Sequence, residues 1–283
     1  MRKRILLGNL GCTLSAPEGL VRRRSFVSKT ALVTGASSGL GLEFSKIFAE
    51  NGYDLVVVAR NEGRLYQLKG DLEETYSITV WVCASDLSRE GAALDVFDFC
   101  TEEGIAIDCL VNNAGFGDQG DFSNADWQRQ RDMAQVNMVA LMQMTKCFIK
   151  PMLERGGGKI LNISSVAAFS AGPRMSVYYA SKAFVRSFSE AVSEEVRGSG
   201  VTVTALCLGP AATGFEKAAG LEASRMFTFF RPASAMDVAL SGYRAMMRGV
   251  TLRYYGAPTK LMNIGSRLVP RIVARKFAKY VNG

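Results

Sequence analysis

Histidine is absent from the 283 residues of this sequence. Its absence excludes a Ser-His-Asp catalytic triad and any metal site that depends on histidine ligands, and we predict that no metal is bound. Acid–base catalysis near neutral pH would therefore need a tyrosine, lysine, cysteine or carboxylate whose pKa is shifted by its surroundings.

Paired cysteines and long apolar runs are also missing. The six cysteines are scattered and form no Cys-x-x-Cys pair, which is typical of small core residues in a reducing compartment. No apolar run approaches the roughly 18 residues that cross a membrane as a helix. With 48% hydrophobic and 21% charged residues, the composition predicts one globular domain, which we expect to be cytoplasmic.

The net charge is +8, and basic residues are concentrated at both ends of the chain. The start imitates a secretion signal, because residues 2–4 are basic and precede an apolar stretch, but Gly8 and Gly11 interrupt that stretch. We therefore interpret residues 1–28 as a mobile basic extension and expect the fold to begin near Lys29. No nucleic-acid motif accompanies the charge, and we predict no nucleic-acid partner.

The other end, residues 259–283, combines apolar and basic positions at helical spacing, and Pro270 should kink or split this helix. Basic residues recur four apart at Arg267, Arg271, Arg275 and Lys279. One interpretation is that the apolar face packs on the domain or on a partner subunit. The other is reversible peripheral contact with an anionic membrane, at its inner face.

Between these ends, residues 29–258 alternate strand-like and helix-like stretches. The predicted strands are residues 31–33, 54–59, 78–83, 106–111, 159–164, 201–208 and 252–255. This alternation indicates the α/β class, with a single Rossmann-type doubly wound parallel sheet and helices on both faces. Ligands of such sheets bind at the carboxyl ends of the strands.

A glycine-rich turn follows the first predicted strand and precedes an amphipathic stretch that favours a helix. Gly35 can make the tight turn, Gly39 lets the backbone approach a pyrophosphate, and Gly41 allows close helix–strand packing. The spacing is Gly-x-x-x-Gly-x-Gly rather than Gly-x-Gly-x-x-Gly. A glycine cluster can also be an ordinary turn, but its position after a strand favours a phosphate site.

Tyr178 and Lys182 stand four residues apart in a predicted helix, so their side chains share one face. A phenol has a reference pKa of about 10, and a nearby ammonium would lower it toward the working range. The pair is suited to proton transfer, although such pairs also occur by chance on solvated helices.

These blocks resemble the classical branch of the short-chain dehydrogenase/reductase superfamily, in its NADP-preferring type. The family's Thr-Gly-x-x-x-Gly-x-Gly matches residues 34–41, its Asn-Asn-Ala-Gly matches 112–115, and its Tyr-x-x-x-Lys matches 178–182. The resemblance covers roughly residues 29–248. One departure lies after the sixth predicted strand, where Leu208 replaces the first proline of the family's pattern.

The resemblance implies a catalytic set and a cofactor site. The catalytic residues would be Ser165, which binds the carbonyl oxygen, Tyr178, which donates the proton, Lys182, which lowers the pKa of Tyr178 and holds the nicotinamide ribose, and Asn137, which holds a water linked to Lys182. The cofactor-binding residues would be Gly35, Ser37, Ser38, Gly39, Leu40, Gly41, Arg60, Asp86, Leu87, Asn113, Ala114, Gly115, Tyr178, Lys182 and Thr213.

Arg60 favours NADP(H) as the cofactor. An acidic residue at the end of the second strand would bind the ribose hydroxyls of NAD, but this chain has Arg60 there. A guanidinium can pair with the 2′-phosphate of NADP(H), and Ser37 and Ser38 could add hydroxyl contacts. The alternative is a plain surface arginine at the start of a helix.

The predicted function is NADP(H)-dependent interconversion of a carbonyl and an alcohol. Residues 214–231 should cover a small-molecule substrate. Their large apolar side chains suggest an apolar or lipid-like one, and they are Phe215, Leu221, Met226, Phe227, Phe229 and Phe230. The alternative is an NADP(H)-binding sensor or scaffold that no longer turns over, which the intact Ser165, Tyr178 and Lys182 set disfavours. The resemblance also implies a homodimer or homotetramer, formed through the helical stretches 123–152 and 176–196.

Overall fold

A computed structural model gives the fold of residues 28–221 and 232–283. The side chains at positions 217, 218 and 267 are not described. The predicted basic extension, apart from Ser28, lies outside the described residues, as do ten positions of the predicted substrate cover.

Seven strands form one parallel sheet in the order β3-β2-β1-β4-β5-β6-β9. They are β1 (Thr30–Thr34), β2 (Asp54–Ala59), β3 (Val80–Ala84), β4 (Cys109–Asn112), β5 (Gly158–Ile163), β6 (Val201–Cys207) and β9 (Leu252–Tyr254). A two-residue pair, β7 (Ala211–Ala212) and β8 (Ala233–Ser234), forms a separate small ladder. All seven predicted strands are present, with ends shifted by three residues at most.

Helices connect the strands. They are α1 (Gly39–Glu50), α2 (Glu62–Thr75), α3 (Ala92–Glu102), α4 (Trp127–Ala134), α5 (Leu141–Glu154), α6 (Ser176–Glu195), α7 (Phe215–Ala218), α8 (Ala235–Met247), α9 (Ala257–Leu268) and α10 (Arg271–Asn282). A π-helical segment, Gln135–Ala140, joins α4 to α5, and short 3-10 turns occupy Phe122–Asn124 and Val166–Phe169.

The sheet has a buried apolar core on each face. Ala31 and Val33 of β1 belong to the core that contains Phe44 of α1, whereas Leu32 belongs to the core that contains Met144 of α5. Successive side chains of a strand point to opposite faces, so this division shows helices covering both sides. The predicted doubly wound Rossmann-type fold is confirmed.

The last part of the chain forms two helices rather than one. α9 ends at Leu268 and α10 begins at Arg271, and Pro270 occupies the position that caps α10. Proline cannot donate the backbone hydrogen bond that a continuous helix would need here. Within residues 28–221 and 232–283, no helix has both the length and the apolar composition needed to cross a membrane.

Candidate active site

The glycine-rich turn lies where β1 ends and α1 begins. Gly35 and Gly39 have φ angles of 69° and 55°, a region that side chains strongly disfavour. The backbone N–H groups of Gly35 and Ala36 donate to the carbonyl oxygen of Val58, at 2.7 and 3.2 Å. These bonds fix the turn against β2.

Gly41 is required for a different reason. A Cβ at this position would overlap the backbone oxygen of Gly35 and would lie 2.7 Å from Nδ2 of Asn113. The first turn of α1 therefore touches the loop that precedes it, with no room for a side chain. The helix N-terminus is held open toward the cavity, where it can receive a phosphate.

Asn113 ties the end of β4 to the end of β1. Its Nδ2 donates to the carbonyl oxygen of Thr34 at 2.9 Å, and the backbone N–H groups of Asn113 and Ala114 donate to Thr34 Oγ1, both at 3.0 Å. The side chain thus supports the glycine turn from behind, while Ala114 and Gly115 continue along the cavity wall.

One end of the cavity is polar. Arg60 follows β2 and is exposed, and Arg64, one turn into α2, also borders the cavity. Asn61 caps α2 by accepting a hydrogen bond from the Arg64 backbone N–H at 2.9 Å. Our sequence analysis did not identify Arg64, which follows Arg60 closely in the chain but lies in the first turn of α2.

Asp86 also lines this polar end, directly after β3 and Ser85. Burial acts to raise the pKa of its carboxyl group, but hydrogen bonds from the backbone N–H and hydroxyl of Ser88, with the charges of Arg60 and Arg89, hold that pKa below its usual range. The next residue, Leu87, is buried in the apolar core and only its edge reaches the cavity.

The cavity has a volume of about 730 Å³ and extends from Arg60 and Asp86 to Ser165 and Tyr178. The hydroxyl of Ser85 borders it and is buried with no hydrogen-bond partner among the described residues. An elongated cavity with a glycine turn in the middle, a cationic end and a buried hydroxyl without a partner fits a phosphorylated dinucleotide.

Ser165, Tyr178 and Lys182 meet at the opposite end. Ser165 follows β5, and its Oγ accepts a hydrogen bond from the backbone N–H of Ala167 at 3.2 Å. Tyr178 and Lys182 project from the first turns of α6, and all three residues line the cavity. The neighbouring Ser164 is buried and donates to the carbonyl oxygen of Lys182, so it holds α6 against β5.

Burial is the main cause of the pKa shifts of Tyr178 and Lys182. It raises the pKa of Tyr178 to about 12, against the effect of a hydrogen bond with Ser165, and it lowers the pKa of Lys182 to about 8. The expected lowering of the Tyr178 pKa by Lys182 stays a prediction. Lys182 Nζ donates to the carbonyl oxygen of Ile163 at 3.0 Å and lies 5.7 Å from the centre of the Tyr178 ring.

Asn137 is buried in the π-helical segment. Its Nδ2 donates to the carbonyl oxygen of Phe116 at 2.9 Å and to Ser181 Oγ at 3.1 Å, and its Oδ1 accepts from the Phe116 backbone N–H at 3.1 Å. These bonds anchor the Asn137 side chain to the loop after β4, and its predicted water-holding role stays a prediction. A π segment alters the helical hydrogen-bond register, which brings this amide to the loop after β4.

The loop after β6 closes the cavity. Thr213 lies against the glycine turn, since a Cβ on Gly39 would be 3.0 Å from the Cβ of Thr213. Leu208, which departs from the family's proline, is buried in the core next to β6. The apolar contact of Leu208 thus holds this part of the loop against the core.

An apolar wall surrounds Tyr178. The ring of Phe215 is 5.3 Å from the Tyr178 ring, and Met175 and Leu221 belong to the same cluster of buried side chains. Two predicted members of the substrate cover, Phe215 and Leu221, therefore lie at the site. The other four, Met226, Phe227, Phe229 and Phe230, lie outside the described residues.

Asn282, near the end of α10, is an unforeseen part of the site's surroundings. Its Oδ1 accepts a hydrogen bond from the Tyr179 hydroxyl at 3.1 Å, its Nδ2 donates to the carbonyl oxygen of Pro173 at 2.9 Å, and its backbone oxygen accepts from Gln119. The bonds span more than a hundred positions of sequence, and no local pattern could have indicated them.

Comparison with known proteins identifies the class of molecule that carries this fold and site. Residues 29–223 match the family described as short chain dehydrogenase, which is more than half of the chain. The protein belongs to this family of oxidoreductases, in the classical short-chain dehydrogenase/reductase superfamily, as the motifs predicted.

Individual relatives are similar over parts of their length. The 7beta-hydroxysteroid dehydrogenase of Collinsella aerofaciens is 31% identical over 182 residues, which are 64% of this chain and 68% of that protein. The very-long-chain 3-oxoacyl-CoA reductase of Anas platyrhynchos is 34% identical over 179 residues, which are 61% of this chain and 56% of the relative. The match thus spans little more than half of the second relative.

A solved structure shows the same architecture. The short-chain dehydrogenase from Sphingobium yanoikuyae, in complex with NADPH, is 28% identical and superposes with a TM-score of 0.76, over 85% of this chain and 94% of that one.

Proposed function

We propose that this protein is an NADP(H)-dependent oxidoreductase that interconverts a carbonyl and an alcohol on an apolar, lipid-like substrate. The observation that carries the proposal is the meeting of Ser165, Tyr178 and Lys182 at one end of a cavity whose other end is bordered by Arg60. Hydride chemistry needs both ends, because the cofactor must reach from its phosphate to the reacting carbon.

The chain's own residues handle the substrate oxygen and its proton. When bound, the nicotinamide would supply or accept the hydride. The hydroxyl of Tyr178 donates its proton to the carbonyl oxygen in reduction, and the hydroxyl of Ser165 holds that oxygen by a hydrogen bond. The ammonium of Lys182 favours the tyrosinate that remains, and the reverse proton movements oxidise an alcohol.

The proposed preference for NADP(H) follows from charge. Arg60 and Arg64 border the cavity at the end of β2, where a carboxylate would favour the ribose hydroxyls of NAD. Ser37 and Ser38 lie in the glycine turn beside them. The Sphingobium yanoikuyae relative, whose structure holds NADPH, supports the same choice.

The proposed substrate class follows from the walls around Tyr178. Phe215, Met175 and Leu221 pack in the same apolar cluster as Tyr178, and burial of apolar surface would provide most of the binding free energy. The names of two relatives, a hydroxysteroid dehydrogenase and a very-long-chain 3-oxoacyl-CoA reductase, agree with a large apolar molecule.

Consumption of NADPH against a panel of carbonyl compounds tests the proposal. The panel should contain sugars, small aldehydes, steroid ketones and long-chain 3-oxoacyl thioesters, and each should be measured with the protein and with Tyr178→Phe. We expect turnover of apolar members that depends on Tyr178. Tight NADPH binding without turnover of any member would instead favour a nucleotide-binding sensor.

We also propose a homodimer or homotetramer. Exposed Met142 and Leu153 lie on α5 and exposed Val139 lies in the π-helical segment before it. On α6 the rings of Phe184 and Phe188 stack 5.6 Å apart in a half-buried position. Such faces favour burial against a second copy. Light scattering should give at least twice the monomer mass, and a monomer mass independent of concentration would contradict the proposal.

The helices α9 and α10 carry a further part of the proposal, which is reversible contact with an anionic membrane. Large apolar side chains are exposed along both helices, at Leu261, Ile264, Leu268, Ile272 and Phe277. Exposed cations flank them on α10, at Arg271, Arg275, Lys276 and Lys279. Apolar burial with attraction to anionic lipid suits a helix lying in the membrane interface.

Co-sedimentation with vesicles tests the membrane contact. Binding should require anionic lipid, weaken at high salt, and fall when Arg271, Arg275 and Lys279 are all changed to glutamine. Matched changes of exposed basic residues on α5, such as Lys150→Gln, should have little effect. Equal binding to neutral vesicles, or none to anionic ones, would leave the apolar face to pack on protein.

A further inference from the structure

We propose that α9 and α10 enclose a second, apolar cavity that receives the hydrocarbon chain of the substrate whose carbonyl lies at Tyr178. This inference rests on the proposed function and adds a specificity site to it. The cavity has a volume of about 370 Å³ and lies between these two helices, the 3-10 turn Val166–Phe169 and the loop after β6.

The side chains that line this second cavity indicate which kind of ligand it can bind. Phe169, Met262, Phe277 and Val281 provide large apolar surfaces from three different elements, and none of the described residues that line this cavity is charged. The polar groups in the wall are few. The hydroxyl of Ser266 is already bound to the carbonyl oxygen of Asn263 at 2.8 Å. A hydrocarbon chain fits such walls, whereas a charged or sugar-like group would lose its hydration without compensation.

The cavity adjoins the catalytic end of the larger one. Val166, Gly209 and Pro210 line both cavities, and Val166 directly follows Ser165 in the chain. A ligand held by its carbonyl oxygen at Ser165 and Tyr178 therefore lies one residue away from the second cavity. This adjacency is the reason to assign the site to the substrate itself rather than to a separate ligand.

Gly209 leaves room at the shared wall. Its φ angle lies outside the left-handed region, so the backbone itself does not demand glycine here. A Cβ at this position would find only Thr259 Oγ1, at 3.7 Å, which is ordinary contact. The missing side chain therefore leaves space beside Thr259 at the wall that the two cavities share.

Asn282 holds the outer wall in place. Through its bonds to Tyr179 and Pro173 it fastens α10 to the residues that flank the catalytic tyrosine. Arg174 adds a bond from its Nη1 to the carbonyl oxygen of Gly283 at 3.1 Å. The cavity is thus a fixed part of the fold. Val273 and Phe277, each about half exposed, border its outer side, where a longer chain can extend.

Gly265 offers a way to fill the cavity. It lies in α9 on the cavity wall, and a Cβ there would meet nothing within 4 Å. Gly265→Phe should therefore occupy the cavity without displacing backbone. Gly70 is the matched control, because it also lies in a helix, α2, with nothing within 4 Å of an added Cβ, and it lies outside both cavities.

The test compares kcat/KM for straight-chain ketones of about four and about twelve carbons. In the unchanged protein, kcat/KM should rise with length, by up to about fourfold for each fully buried methylene. Gly265→Phe should reduce the ratio of long-chain to short-chain kcat/KM at least tenfold, and Gly70→Phe should leave it unchanged. An equal ratio in all three proteins, or no preference for the long ketone, would overturn the proposal.

A binding measurement separates this inference from the proposed function. A dansyl-labelled long-chain fatty acid should fluoresce on binding to the unchanged protein and to Gly70→Phe, and bind at least tenfold more weakly to Gly265→Phe. If short ketones are reduced but the probe does not bind, the cavity proposal fails alone. If the probe binds as expected but no carbonyl is reduced, the proposed function fails.

Ala274→Leu, which fills the same cavity from α10, replaces Gly265→Phe if that variant does not fold.

Discussion

The cavity that we propose as the catalytic site has two ends that are built in opposite ways. The nucleotide end depends on backbone, because Gly35, Gly39 and Gly41 are needed for their conformation or lack of a side chain, and its charged group, Arg60, is exposed. The chemical end depends on buried side chains, since Tyr178 and Lys182 are both almost inaccessible to water. Substitutions at the first end should therefore act through steric overlap, whereas substitutions at the second end should act by removing one functional group.

The largest effect is expected at the chemical end. Tyr178→Phe removes one hydroxyl while the ring keeps its contact with Phe215, and turnover should fall by about 10²–10⁴-fold, as is typical for loss of a general acid. Steady-state kinetics with NADPH would measure it. Tyr179→Phe is the control, because its hydroxyl bonds Asn282 instead, and it should cost far less activity. Similar losses in both variants would contradict the assignment of the acid.

The nucleotide end should respond to a single methyl group. In Gly41→Ala the new Cβ overlaps the Gly35 backbone oxygen, so the free energy of unfolding should fall by about 1–3 kcal/mol, the usual cost of overpacking. Urea denaturation measures this change. Gly70→Ala, also a helical glycine but with open space around it, should instead gain up to about 1 kcal/mol. A stable Gly41→Ala protein would show that the turn is not as rigid as described.

Charge at the nucleotide end should determine which cofactor binds. Arg60→Ala should raise the Kd for NADPH about tenfold, because an exposed guanidinium–phosphate pair is partly screened, and should change the Kd for NADH little. Titration calorimetry with both cofactors would measure this. Arg248→Ala, an exposed arginine where α8 ends, serves as the control. An unchanged preference in Arg60→Ala would remove Arg60 from the site.

The pH dependence of kcat/KM tests the role of Lys182 at the buried end of the cavity. Because burial lowers the pKa of Lys182 to about 8, its ammonium loses the proton as the pH rises through that value. Burial raises the pKa of Tyr178 to about 12 and that of the adjacent Cys207 thiol to about 11, so both remain protonated there. The kcat/KM for reduction should fall above pH about 8, by up to about tenfold per unit.

Lys182→Arg is the matched variant for this measurement. Arginine keeps its charge throughout this range, so any activity that remains should lack the decline near pH 8. If the same decline persists in Lys182→Arg, a group other than Lys182 causes it.

Local patterns in the sequence were sufficient to predict the strands of the sheet and the edge at which the candidate site lies. Apolar runs bounded by glycine or polar residues determine strands such as β2, whose ends at Asp54 and Ala59 were predicted without error. The positions of Gly35, Arg60 and Ser165 at the carboxyl edge follow from the parallel topology alone. Pro270 likewise splits the final helix as expected, because its effect on hydrogen bonding is local.

Tertiary structure decided what depends on surroundings distant in sequence. Burial raises the pKa of Tyr178 against the effect of its hydrogen bond with Ser165, and Lys182 Nζ is bound to the carbonyl oxygen of Ile163. Asn137 holds the Phe116 backbone, since a π-helical segment brings its amide to that loop. The apolar cavity beneath α9 and α10 depends on contacts distant in sequence, such as the bonds from Asn282 to Tyr179 and Pro173. Such long-range contacts have no periodic signature, whereas helices, strands and turns arise from neighbours along the chain.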